Sequence, residues 1–175
     1  MTIVVADLYG LGGLTTSPGM LTLADKIKKL GANFIVLGPY LQDAWQQAAA
    51  DLTARPASDL IGAIGYSLGA NNVVEIAAEL GRKIDYIAGI QPSYWGLGAD
   101  WSGVITLPSN VGSALNVFNP NFAATFGLGY VRYAAPAGFS GRLQLVATND
   151  LHPDVDNDAG IHGLILRGLQ DIEGK

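Results

Sequence analysis

The chain has 175 residues, 49% of them apolar and 14% charged, with 23 glycines and a net charge of −5. Those values suit a single compact domain spanning residues 1–175; they exclude a disordered chain and leave no basic footprint for nucleic acid. Cysteine is absent, which excludes disulfides and thiolate metal sites and fits a reducing compartment.

The amino terminus, MTIVVADLYG, lacks a charged n-region and meets Asp7 too early for a signal peptide. No apolar run approaches the ~20 residues needed to span a bilayer. A cytoplasmic protein without a membrane span is therefore expected. Residues 2–6 (TIVVA) read as a first strand, followed by the loop Tyr9-Gly10-Leu11-Gly12-Gly13. A helix pattern follows, with Ser17 as N-cap, Pro18 in the first turn and Gly31 as the residue just past the end. Met20, Leu23, Ala24, Ile27 and Leu30 keep helical spacing along it, and Lys26, Lys28 and Lys29 form a solvated face.

Residues 33–38 give a second apolar run, and Leu41, Ala44, Trp45, Ala48 and Leu52 mark a second helix. The run LIGAIG (60–65) leads through Gly65-Tyr66-Ser67-Leu68-Gly69 into a third helix that stops at Gly81. Further runs cover 85–90, 114–118 and 142–147, and a last helix carries Ile161, Leu164, Ile165, Leu169 and Ile172 on one face. Most of the runs lack polar alternation, as strands covered on both faces do. Strand and helix alternate, so the expected fold is α/β: a doubly wound, mostly parallel sheet of about six strands. Residues 92–112 and 120–140 are rich in Gly, Pro and aromatics and show no clean periodicity; long loops of that kind usually serve function.

Ser67 falls just beyond a buried strand, at the sheet edge where ligands of open α/β sheets bind. A G-x-S-x-G turn between strand and helix strains the serine, lifts its hydroxyl clear of the sheet and sets the N–H of Leu68 at a helix N-terminus. A serine hydroxyl needs a base, and histidine suits that work at neutral pH. Of the two histidines, His152 follows the strand 142–147 at the same edge as Ser67, whereas His162 lies in the last helix at the border of its apolar stripe. The loop GLGG has no Lys-Ser or Lys-Thr after it and lacks the full dinucleotide spacing, which speaks against a nucleotide.

With VVADLYGLGGLTTSPGMLTLADKIKKLG, GYSLGA and LVATNDLHPDVDNDAGIHGLIL in place, the chain resembles an α/β-hydrolase, specifically a minimal, lidless one of the cutinase-like size class. The resemblance implies a nucleophile at Ser67, a base at His152 and oxyanion donors at the N–H groups of Leu68 and Leu11. It implies no cofactor and no metal, and a small-molecule acyl substrate as the partner; the oligomeric state does not follow.

The sequence departs from the family at the triad acid. After the strands ending NVFNPN and AGIQPS stand Asn116, Asn119, Asn121 and Gln91, none of them acidic. Three readings are open. Asp150, Asp154 or Asp156 supplies the acid from beside the histidine; Asn119 or Gln91 orients the ring of a Ser–His dyad; or catalysis is lost and the fold serves as a ligand-binding or interaction module. The acidic run DLHPDVDND matches no EF-hand loop and reads as solvated. Tyr66, Trp95, Phe118 and Phe122 are the candidate pocket residues. The other aromatics of the two irregular segments, Tyr94, Trp101, Phe126, Tyr130 and Tyr133, either wall the same site or cover the sheet where crossover helices are missing.

Overall fold

The computed structural model describes residues 1–93, 103–121 and 129–174. Its main sheet holds β1 (Ile3–Leu8), β2 (Phe34–Tyr40), β3 (Leu60–Tyr66), β4 (Tyr86–Ile90), β6 (Ser113–Phe118) and β8 (Arg142–Ala147), while β5 (Val104–Thr106) and β7 (Arg132–Ala134) form a separate pair. The six strands run parallel in the order β2-β1-β3-β4-β6-β8. Each corresponds to one of the apolar runs read from the sequence. The nearly continuous apolar character of the inner strands β1, β3 and β4 follows from burial on both faces, whereas the edge strands β2 and β8 are partly exposed. Ile3 and Val5 of β1 enter one core with Met20, Leu23 and Ile27, while Val4, Ala6 and Leu8 enter the other with Leu52, Val73 and Ile76.

The helices divide accordingly. Helix α1 (Pro18–Lys28) and helix α4 (Ala159–Glu173) cover the first face, and α2 (Trp45–Thr53) and α3 (Leu68–Glu79) cover the second. Fully burying side chains such as Leu23 or Leu52 contributes roughly 1.5–3 kcal/mol each, which outweighs the weak propensities of these short helices. The chain leaves β1 for β2 on one side and returns to β3 on the other. Its switch point therefore lies between the carboxyl ends of β1 and β3.

Three local expectations are corrected. Ser17 sits at the N-cap of α1, yet its side chain makes no capping bond and its hydroxyl is buried without a partner. The Gly19 N–H of that first turn instead donates to Asp156 Oδ2 at 2.8 Å. At the far end Lys29 is the C-cap, so Gly31 lies beyond the closing position, and its φ is not positive. The segments without periodicity hold β5 and β7, whose three-residue lengths are too short to show a period. That pair covers the second face: Ile105, Leu107 and Tyr133 pack into its core, and the Tyr133 hydroxyl donates to the Ala70 carbonyl of α3.

Candidate active site

The bend after β3 is built from close approaches. A Cβ on Gly65 would stand 2.1 Å from the Gly69 carbonyl oxygen, and one on Gly69 would stand 2.6 Å from the Leu8 carbonyl oxygen. Side chains at either position would push α3 away from the ends of β3 and β1. Between them Ser67 takes φ 58° and ψ −122°, a left-handed conformation that L-residues rarely adopt. A serine at an N-cap ordinarily bonds the first turn of its helix. Ser67 makes no such bond. Its Oγ lies 2.9 Å from His152 Nε2 instead.

The Leu68 N–H, first in α3, has no intrahelical acceptor. The loop after β1 runs against the serine: a Cβ on Gly10 would be 2.7 Å from Ser67 Cβ and 3.3 Å from its Oγ. Among the described residues the Leu11 N–H donates to no backbone carbonyl, whereas the Gly13 N–H closes a turn on the Gly10 carbonyl. The backbone of Gly10 thus lies against the nucleophile at the switch point, one residue before Leu11.

His152 is carried back over the sheet from the end of β8. The Thr148 N–H donates to the Phe118 carbonyl, and the Tyr66 hydroxyl donates to the carbonyl of His152 itself. The Tyr66 ring stacks on the imidazole, with centroids 4.9 Å apart at 26°. Burial pushes the His152 pKa down from 6.5 to about 4, because taking the ring out of water disfavours its charged form.

His152 Nδ1 lies 2.9 Å from Gln91 Oε1. Gln91 stands just past β4, fully buried, with φ 44° and its N–H on the Val117 carbonyl at 2.7 Å. The sequence brings Ser67, His152 and Gln91 together and sends the remaining candidates elsewhere. Asn119 reaches the Asp150 carbonyl, not the ring. Asp156 caps α1, and since both ring nitrogens of His152 are engaged by other residues it does not orient that ring. The Asp150 carboxylate turns to Thr148 Oγ1 at 2.6 Å. Asn116 Oδ1 accepts from the Tyr133 N–H, tying β7 to β6.

Tyr66, expected in the pocket, faces inward with 3% exposure and serves the histidine. Phe118 is half-buried, with the Arg132 guanidinium 6.0 Å from its ring centre. Trp95 and Phe122, with Tyr94, Trp101 and Phe126, lie outside the described residues. The stacking role of Tyr66 was missed, although its place beside the nucleophile could have suggested it. The capping role of Asp156 carried no local signal, because its partner is 137 residues away.

A chain reversal at the β1–β3 switch, a serine on a strained bend and a histidine delivered from the last strand describe one architecture. This is the α/β-hydrolase fold. Mouse α/β-hydrolase domain-containing protein 10 matches with a TM-score of 0.62, at 12% identity over 98% of this chain and 89% of that one. The lidless α/β serine hydrolase XC6422 of Xanthomonas campestris matches at 0.58, with 15% identity over 96% and 81%. A structure from the metagenome-derived lipolytic enzymes LipS and LipT matches at 0.56, with 17% identity over 99% and 94%. No family model and no curated protein sequence matches the chain. Among the described residues, no helix of this α/β-hydrolase fold is long and apolar enough to cross a membrane.

Proposed function

We propose that the protein is a serine hydrolase acting on esters or thioesters of small acyl compounds. The observation that carries this reading is the 2.9 Å approach of Ser67 Oγ to His152 Nε2 on a bend that frees the hydroxyl from capping. In the proposed reaction Oγ attacks the acyl carbonyl carbon while its proton passes to Nε2. The resulting oxyanion rests on the N–H groups of Leu68 and Leu11. Collapse of the tetrahedral species breaks the bond to the leaving alcohol or thiol, which takes the proton from Nε2. Water, deprotonated by the same nitrogen, then releases the acid from the acyl-serine. The fold is shared with lipolytic enzymes and a dienelactone hydrolase, which supports acyl chemistry as the class.

A fluorophosphonate probe tests the reading. Labelling of the native chain, abolished by Ser67→Ala, is expected, followed by turnover of p-nitrophenyl esters. A folded chain that resists the probe overturns it and favours a binding module on the hydrolase fold. Labelling with acyl transfer to alcohols, in preference to water, would identify an acyltransferase using the same serine.

A further inference from the structure

The polar groups behind His152 form a chain whose direction is fixed at both ends. At one end is the Asp150 carbonyl, which can only accept. Gln91 Nε2 lies 2.9 Å from it and Asn119 Nδ2 lies 3.1 Å from it. The Asn119 amide cannot turn over, because its Oδ1 accepts from the Asn121 N–H at 2.9 Å, a group that only donates. The Gln91 amide cannot turn over either, since that would set its oxygen against the Asp150 carbonyl. Its Oε1 therefore faces His152 Nδ1, so the proton of the neutral ring sits on Nδ1 and the lone pair of Nε2 faces Ser67.

The surroundings of Gln91 suit an amide and oppose a carboxylate. An ionised carboxylate of the same shape would place a second oxygen where Nε2 now meets the Asp150 carbonyl, oxygen against oxygen. The fit is close: a Cβ on Gly129 would stand 2.5 Å from Gln91 Oε1. An acid brought in from Asp150, Asp154 or Asp156 is unnecessary, because Nδ1 already has its partner.

We propose that Gln91 is a neutral positioning residue in the place of the triad acid, holding His152 in the Nδ1–H tautomer through a carbonyl-anchored amide. Its effect on rate rests on the serine-hydrolase reading; its effect on the tautomer does not. An amide fixes the ring and its proton but leaves the imidazolium without an opposing charge, so this site obtains orientation without the electrostatic help of an acid.

Nitrogen-15 spectra of the imidazole at pH 7 test the tautomer directly. The native chain should show the proton of His152 on Nδ1, and Gln91→Leu should lose that preference. In the same variant kcat on p-nitrophenyl esters should fall about 10- to 100-fold, the order that misorientation costs, with KM unchanged. The carboxyl introduced by Gln91→Glu should titrate well above an ordinary glutamate, because only its protonated form can donate to the Asp150 carbonyl. A native ring protonated on Nε2 overturns the proposal. So does a Gln91→Leu variant with native kcat, or a Gln91→Glu carboxyl that ionises at the ordinary value. Should Gln91→Leu fail to fold, the native tautomer and the Gln91→Glu titration still decide. Failure of the hydrolase reading would appear separately, as an unlabelled Ser67 beside a correctly tautomeric ring.

Discussion

The two histidines, ten residues apart in sequence, are held in opposite ways. His152 presents Nε2 to a serine hydroxyl and Nδ1 to an amide oxygen. His162, only 1% exposed, has Nε2 2.6 Å from the Asp156 carbonyl, which can only accept, so its proton must sit on Nε2. Its Nδ1 then accepts from the Lys26 ammonium at 2.9 Å. His152 is half-buried and His162 buried, and withdrawal from water lowers the pKa of both. What separates them is the direction of the lone pair. In His152 it meets a hydroxyl that can give up its proton in a reaction; in His162 it is occupied by a cation, and the ring bolts the loop after His152 to α1. Burial and a pair of hydrogen bonds do not make a base.

The largest effect should come from exchanging the two rings in turn. His152→Ala removes the proposed base, and probe labelling and turnover should fall by about 10⁴- to 10⁶-fold, as for triad histidines elsewhere. His162→Ala leaves the buried Asp156 carbonyl and the Lys26 ammonium without their partner. It should cost roughly 1–3 kcal/mol in urea unfolding and leave the labelling rate of the folded fraction unchanged. If His162→Ala abolished labelling in folded protein, or His152→Ala did not, the distinction drawn from lone-pair direction would fail.

The architecture was readable because its signals are local. Residues 60–65 and 86–90 are apolar on both faces, and the glycines on either side of Ser67 mark a turn that admits no side chain. His152 was readable for the same reason, standing directly after a strand whose carboxyl end had to lie on the nucleophile's side. What escaped was set by contacts between distant parts of the chain. Gln91 and Asn119 were equal candidates until the Asp150 carbonyl separated them, and Asp156 looked like a member of the histidine loop before its partner in α1 was known. Lys26 read as solvated, since nothing within α1 announces a histidine arriving from α4. Polar partners chosen across the core leave no periodicity behind.

The pH dependence sharpens the contrast between a buried base and a buried acid. Because the His152 pKa is about 4, the acid limb of kcat/KM should lie near that pH, and activity should stay level from pH 8 down to about 5. Asp7 of β1 is 3% exposed and burial pushes its pKa up from 3.8 to about 7. Between these values the folded state holds a proton that the unfolded chain has released, so stability falls as pH rises, by roughly 4 kcal/mol across the window. His152 has the opposite sign: folding depresses its pKa, so its contribution falls as pH drops from 6.5 towards 4. The Asp7 contribution therefore declines from about pH 4 to 7 and is gone above about pH 7.5, while His152 and His162 add stability over the same range as pH rises. Asp7→Asn should remove that loss in urea titrations and expose the rising limb of His152 below pH 6.5. An unchanged profile in Asp7→Asn would show that Asp7 is not the group responsible.

The smallest effects divide the cap of α1 between the residue next to it and one far away. Asp156 accepts from the Gly19 N–H with a fully buried side chain. Removing that acceptor orphans an N–H in the first turn, so Asp156→Ala should cost about 1–2 kcal/mol. Ser17 occupies the N-cap position itself, but its buried hydroxyl has no partner. Ser17→Ala should therefore change stability by less than about 0.5 kcal/mol, and in the stabilising direction, because it deletes an unsatisfied polar group in place of a bond. Neither substitution touches Ser67, His152 or Gln91, so probe labelling should stay native in both. A Ser17→Ala variant that loses as much stability as Asp156→Ala would mean that the hydroxyl caps the helix in solution.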